Sequence, residues 1–307
     1  TVKAKAVIIA SGGYANNKEW IKKYAGFDLD VNLIPIGNVD KMGDGIRMAF
    51  EVGAAEEGLG ILELFRTGPL GPEFVMGSHL EHAAAQPDLW VNNQGERFCD
   101  ESIAFYDTSI GNVNARQNER YSFSIFDSAI VQHLTESGVV KALTLDLPPG
   151  SRATDLPREL EAALKSTSGD VFEADSVPEL AEKIGVDPAV LQATVDEYNG
   201  FCEKGYDELF AKDQKFLRPI KSPKFYAIKA RTVFLGTLGG IKINHRTEVL
   251  DKKGMAIPGL YAAGYDAGGM YGDSYSIKDS SGLSSAFALN SGRIAGRNAL
   301  EYMGSNP

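Results

Sequence analysis

The sequence has 307 residues, 43% of them hydrophobic and 23% charged, the profile of a globular chain long enough for two domains rather than of a disordered one. Its formal net charge of −10 argues against a nucleic-acid surface or an anionic membrane as partner. No apolar run is long enough to span a bilayer. The only cysteines, Cys99 and Cys202, show neither a disulfide framework nor metal-ligand spacing, so both read as reduced core residues and no metal is expected.

In chain order, Lys3–Ala10 is a short apolar run that reads as a central strand, closed by Ser11-Gly12-Gly13. Asn16 or Asn17 caps a helix over Lys18–Tyr24, with Trp20, Ile21 and Tyr24 on one face. Gly43-Asp44-Gly45 opens a second helix, whose Ile46, Ala49, Phe50 and Gly53 form one side and for which Asp44 is the default N-cap. Leu89–Phe98 reads as a hairpin turning at Asn92–Gly95. A strand follows at Tyr121–Phe126 and helices at Ser128–Glu136, Val177–Ile184 and Pro188–Lys204. Asp187 before Pro188 is an N-cap with a first-turn proline, and Leu191, Thr194, Val195, Tyr198 and Cys202 form the buried stripe behind it. Near the end, Leu260–Ala263 reads as a buried strand, and Gly264 marks a corner where a backbone or ligand approaches closely. A helix then carries an apolar stripe of Ala286, Leu289, Ile294 and Ala295, with the small residues Ser284, Ser285, Ser291, Gly292 and Gly296 allowing close packing. With Ser280 or Ser281 as N-cap, the N–H groups of Gly282, Leu283 and Ser284 are left free to meet a partial negative charge.

The wording of these stretches resembles the fumarate reductase/succinate dehydrogenase flavoprotein family. I-P-G-L-Y-A-A-G, then G-G and a helix ending S-G-R-I-A-G, is similar to that family's C-terminal FAD segment. A-S-G-G-Y, M-G-D-G, V-N-x-x-G-x-R-F, I-G-V-D-P-x-x-L…Y-N, F-Y-A-I and T-L-G-G follow in the family's order. The resemblance implies an α/β FAD-binding (Rossmann-like) fold with an inserted α+β capping domain: FAD-binding parts at 1–62 and 233–307, the substrate cap at 63–232. It implies FAD as cofactor, touched by Ala10, Ser11, Gly12 and Gly13, by Asp44 and Gly45, by Gly239 and Gly240, by Ala263, Gly264 and Tyr265, and by Gly282, Leu283 and Ser284. The family's opening unit of strand, G-x-G-x-x-G and helix is missing from the sequence, so the fold is expected to be incomplete and the chain to be a piece of a longer protein.

Family fumarate reductases pass hydride from flavin N5 to an activated C=C and protonate the other carbon from an arginine. By the resemblance, the relay Glu falls on Glu81, but its Arg partner falls on Ala84 and the proton-donor Arg near Phe105, beside Tyr106. The substrate-binding His falls on Gly236, and the carboxylate-clamping Arg between Tyr275 and Lys278. Cations have given way to aromatics, so a dianion would lack its charge-assisted clamp, and a larger, less charged enone or enoyl compound is the expected substrate. A phenol can supply the proton or hydrogen-bond a carbonyl. Tyr275, in a G-D-S-Y similar to that of 3-ketosteroid dehydrogenases, comes first, then Tyr106 and Tyr271, each against the plain alternative of a packed tyrosine. His79 and His82 flank Glu81 and offer a proton relay or, with less support, part of a metal site; a solvated polar turn is the bland reading. Arg66 and Lys278 are candidate substrate cations. Two further readings stand beside the reductase: a ketosteroid-type desaturase, and a catalytically inactive fragment or capping module that binds no FAD by itself; an electron-donor protein or the missing N-terminal half is a candidate partner. The sequence leaves the compartment open.

Overall fold

The computed structural model describes residues 2–69, 77–143, 146–166, 169–272, 274–275 and 282–305. In chain order the elements used below are β1 (Val7–Ile9), β2 (Leu33–Pro35), α1 (Asp44–Glu51), β3 (Leu62–Gly68), α2 (His79–Ala84), β4 (Leu89–Val91), α3 (Asp107–Ala115) and β5 (Tyr121–Asp127). They continue with α4 (Ser128–Glu136), α5 (Leu156–Leu164), β6 (Val171–Ala174), α6 (Val177–Ile184), α7 (Pro188–Lys204), β7 (Phe225–Thr237), β8 (Glu248–Leu250), β9 (Ala256–Ala262) and α8 (Leu283–Ser305). The chain divides into two compact units, Thr1–Leu64 with Phe234–Pro307, and Phe65–Val233.

In the first unit β1 pairs parallel with β9, Val7 opposite Leu260 and Ile9 opposite Ala262. β8 pairs antiparallel on the other side of β9. β1 is therefore shorter than its apolar run, and it is an edge rather than a central strand among the described residues: Val7 is 50% and Ile8 41% exposed. Asn17 caps the first helix, accepting from the Trp20 N–H at 3.0 Å, but only Lys18–Trp20 is α-helical. Ile21–Ala25 widens into a π turn that Gly26, at φ 69°, ends. Asp44 is not the cap of α1. Gly43 takes that place at φ 82°, which a side chain rarely adopts, and Asp44 becomes the first helical residue, paired with Arg47 at 2.6 Å. Of the apolar stripe expected on α8 only Ala295 is buried, whereas the small residues Ser284 and Ser291 are buried as read. Leu289 is 80% exposed, while Ser284, Ser291, Ala295, Asn298 and Ala299 are buried, because α8 lies close enough to β9 that only small or hydrogen-bonded side chains fit. There the Tyr261 hydroxyl donates to the Asn298 carbonyl at 3.1 Å and the Gly264 N–H to Ser291 Oγ at 3.0 Å.

The second unit is an antiparallel sheet in the order β4-β5-β7-β6, with helices packed against it. α4, α6 and α7 stand where the sequence put them, each begun by a side-chain cap: Asp127 to Ile130, Ser176 to Glu179 and Asp187 to Ala189. Leu180, Leu191, Val195 and Tyr198 are buried in one core with Leu89, Ile125 and Ile228, each such side chain contributing about 1.5–3 kcal/mol. Thr194 and Cys202, also expected on the stripe, are only half-buried. The hairpin turns at Asn92–Gly95, where the Gly95 N–H donates to the Asn92 carbonyl at 3.0 Å. Arg97 of that hairpin is buried and forks onto Glu101 (2.7 and 2.9 Å) and Asp207 (2.9 and 3.1 Å), with Lys212 Nζ at 3.3 Å from Glu101.

Candidate functional site

In the first unit the site is built on the corner after β1. Gly12 and Gly13 have φ of 100° and 81°, so their N–H groups turn to one side, and both donate to the carboxylate of Asp266, at 2.8 and 3.2 Å. Ser11 Oγ adds a third donor at 3.1 Å. Asp266 is fully buried just beyond the A-A-G corner, so it locks the Ser11–Gly13 turn to the turn at Gly264–Asp266. Sequence reasoning missed it, although an acid set between glycines and small residues was the available signal.

The glycines assigned to the cofactor split into two groups. Cβ atoms at Gly13, Gly45, Gly239 and Gly240 would strike Thr237 Oγ1, Ser11 Oγ, the Gly58 carbonyl oxygen and the Asp266 carbonyl oxygen, at 2.4, 2.4, 1.8 and 2.2 Å. These four are required by the chain's own packing. Gly282 has nothing within 4 Å of that position, and Gly264 only Ala288, at 3.5 Å. Ala10 and Ser11 are exposed, Ala263 is buried, and Leu283 is half-buried at the start of α8. Ser280, Ser281 and Lys278 lie outside the described residues.

Tyr265 follows the same corner. Its hydroxyl donates to Glu63 Oε2 at 2.7 Å, and Ser284 Oγ, in the first turn of α8, donates to Glu63 Oε1 at 3.0 Å. Glu63 is buried within the apolar run of β3, another residue the sequence reading passed over. Burial first, then the hydrogen bond and charge of Glu63, push the Tyr265 phenol well above its ordinary range. A Cβ at Gly236, where the resemblance puts a substrate histidine, would lie 3.1 Å from the Tyr265 ring. Beyond it, Tyr271 meets Tyr275 edge-on at 5.4 Å between centroids and Phe287 at 6.0 Å. Tyr275 is buried. The Tyr271 hydroxyl is buried without a hydrogen-bond partner among the described residues, and burial raises its pKa.

In the second unit Glu81 and His82 are both fully buried on α2, so the solvated-turn reading does not hold for them. Ser78 Oγ accepts the Glu81 N–H at 3.2 Å while the Glu81 carboxylate accepts the Gly77 N–H, the reciprocal arrangement that starts a helix. Burial raises the Glu81 pKa, partly offset by that N–H and by Arg66, whose Nη1 is 3.9 Å away. Arg66 is committed elsewhere: its Nε donates to Asp107 at 2.9 Å and its Nη2 to the Leu143 carbonyl. Lys141 Nζ pairs with the other Asp107 oxygen. Asp107 and Lys141 were not anticipated. They lie 41 and 75 positions along from Arg66 in sequence, with no spacing pattern to link them. Burial lowers the His82 pKa to about 4, so this imidazole is neutral at pH 7. His79 is half-buried, and its Nδ1 accepts the Asp155 N–H at 2.8 Å, holding the approach to α5. The two histidines therefore do different work, and no group of three metal-ligating side chains forms among the described residues. Tyr106 is 42% exposed at the start of α3.

Residues 1–277 match the family described as FAD binding domain. The chain belongs to that family. A vinyl phenol reductase of Lactiplantibacillus plantarum is 35% identical over 306 residues, covering 98% of this chain and 61% of the reductase. A flavocytochrome c3 fumarate reductase in its open conformation aligns at TM-score 0.62 and 27% identity, over 98% of this chain and 47% of that one. A 3-ketosteroid Δ1-dehydrogenase from Sterolibacterium denitrificans aligns at 0.68 and 22% identity, over 98% and 53%, a likeness of fold. The fold is thus the α/β FAD-binding one, and the chain spans about half to three-fifths of the length of the proteins it matches. The bare backbone at Gly264 and Gly282 and the corner fixed by Asp266 fit the family's cofactor, FAD, along one edge. No glycine fingerprint for a pyrophosphate occurs in the sequence. No described helix is long and apolar enough to cross a membrane.

Proposed function

We propose that this chain is the cap-bearing part of an FAD-dependent oxidoreductase that reduces a C=C bond activated by a neighbouring carbonyl or conjugated ring, in a substrate other than fumarate. The observation that supports the reading is at Gly236, where the resemblance puts a substrate histidine and a Cβ would press on the ring of Tyr265, whose hydroxyl is held by Glu63. A neutral hydroxyl backed by a buried carboxylate repels a substrate carboxylate and accommodates a neutral polar group. Arg66 supports the same reading, since Asp107 and the Leu143 carbonyl already engage it. The vinyl phenol reductase relative extends the substrate class to alkenes conjugated with an aromatic ring.

FAD, when bound, supplies the hydride. Ala10–Gly13, Gly264 and the first turn of α8 would line its edge. Tyr275, with Tyr271 packed on it, is the first candidate to hold or donate the proton at the substrate carbonyl or α-carbon, and Tyr106 and the Glu81–His82 pair are the alternatives in the cap. A ketosteroid-type desaturation uses the same parts in reverse. The electron donor and any segment that completes the pyrophosphate site belong to this proposal as well.

An FAD titration followed by absorbance comes first. Reduced-viologen oxidation is then compared with 4-vinylphenol, a neutral enone, an enoyl ester and fumarate. Loss of two charge-assisted contacts predicts a preference for the neutral alkenes of about 100-fold or more in kcat/KM. Fumarate as the better substrate overturns the reading. A second reading rests on β1, an edge strand among the described residues whose Val7 and Ile8 are exposed. On that reading the chain alone shows no flavin band, and one emerges when a further segment covers β1.

A further inference from the structure

We propose that the Phe65–Val233 unit contains a binding site for one ordered water molecule, in a cavity walled by Trp90 of β4, Asn114 of α3, Ser124 of β5 and Ala84 of α2. The cavity has about 10 Å³ of accessible space, the lower limit for a single water and too little for any larger ligand. Three polar atoms of its walls, Trp90 Nε1, Asn114 Oδ1 and Ser124 Oγ, are buried without a hydrogen-bond partner among the described residues. Their side chains are 4%, 1% and 2% exposed.

The chemistry of the three atoms is complementary to water and to little else. An indole N–H only donates. The orientation of the Asn114 amide is set from its other end, where Nδ2 donates to Thr232 Oγ1 at 3.1 Å and to the Ala230 carbonyl at 3.3 Å, so Oδ1 must accept. The Ser124 hydroxyl does either. One water accepts from Trp90 and donates to Asn114 and Ser124, making three bonds, the usual number for a buried water. Leaving all three buried atoms unpaired costs more than the entropy of holding one water molecule. A cation is excluded by the indole donor, and an anion has no positive group in this wall. This site is independent of the flavin reading, and its test needs no cofactor.

The sequence has two tryptophans, Trp20 and Trp90, so 15N-tryptophan labelling of the 307-residue protein gives two indole N–H signals, assigned with Trp90→Phe. Cross-relaxation between water and the Trp90 indole proton, with the sign of a long-lived complex, is the expected result. It persists in Ser124→Ala, which keeps two partners and enlarges the space, and vanishes in Ser124→Val, which fills it. Absence of the cross-peak in the folded parent overturns the proposal. So does its loss in Ser124→Ala, which would trace it to exchange through the hydroxyl. A xenon-induced shift of the Trp90 signal in the parent also overturns it, by showing a dry cavity. The parent and Ser124→Ala measurements stand even where Ser124→Val does not fold.

Discussion

Asp266→Asn isolates what holds the corner after β1. The substitution keeps the shape of the side chain and removes its charge. In the parent, the carboxylate takes N–H donors from Gly12 at 2.8 Å and Gly13 at 3.2 Å and the Ser11 hydroxyl at 3.1 Å, all at a fully buried residue. Bonds to a charged acceptor contribute about 1.5–3 kcal/mol each. Asparagine retains one acceptor oxygen, but its NH2 must face at least one of the three donors. The expected loss is one to two such bonds plus an unpaired N–H, on the order of 2–5 kcal/mol. Ser11→Ala, which removes only the hydroxyl of an exposed side chain, is expected to cost about 0.5–1.5 kcal/mol. Trp20 belongs to the same unit, so urea unfolding in a Trp90→Phe background, followed by Trp20 emission, reports on it directly. With a urea slope of about 1–3 kcal/mol/M, the Asp266→Asn midpoint falls by about 1–2 M. A midpoint no lower than that of Ser11→Ala would refute the reasoning and leave the two glycine N–H groups without energetic weight.

Three other outcomes follow from the same geometry. His82 is held neutral, with a pKa lowered to about 4 by burial, whereas an unfolded histidine titrates near 6.5, so the unfolded chain takes up the proton first. Stability is therefore full above pH 6.5 and lost as pH falls toward 4; Trp90-monitored midpoints should show that slope in the parent and a flatter one in His82→Gln. Asp107→Ala strands both Arg66 and Lys141 in a buried setting and is expected to cost about 3–5 kcal/mol, whereas Lys141→Met leaves the Arg66–Asp107 pair intact and costs less. Equal urea midpoints for these two variants would contradict the assignment of Asp107 as the shared anchor. Gly239→Ala should destabilise the first unit in the absence of any flavin, because its Cβ would sit 1.8 Å from the Gly58 carbonyl oxygen; an unchanged Trp20 transition would return that glycine to a cofactor role.

How much was legible in the sequence depended on whether the signal was local. α6 and α7 carry their own caps, prolines and stripes, so residues 177–204 folded as read. α8 did so only in part: its most apolar side chains, Leu289 and Leu300, face out, while Ser284 and Ser291, read as small residues for close packing, are buried with Ala295, Asn298 and Ala299. Hydrophobicity alone ranks those residues in the wrong order, since close approach to β9 selects for size. For β1 the missing information is the neighbour, since among the described residues the strand lies at an edge. An apolar run says that a strand is meant to be covered, and does not say by which residues.

The glycines of the corner after β1 stood out in the sequence, and three buried or half-buried acids did not. Asp266, Glu63 and Asp107 each complete their arrangement through partners distant in sequence: 253–255 positions for Asp266, 202 and 221 for Glu63, 34 and 41 for Asp107. No motif window spans such separations. Each of the first two interrupts a run of apolar or small residues, however, and a carboxylate cannot enter such a run without donors waiting for it. The same physics assigns the two carboxylates different work. Asp266 meets backbone N–H groups and fixes a turn, which makes it a structural anchor. Glu63 meets only hydroxyls among the described residues, those of Tyr265 and Ser284, and so orients a phenol rather than a turn. On that contrast we propose that Tyr265, counted at first among the cofactor contacts, stands beside Tyr271 and Tyr275 in selecting the substrate.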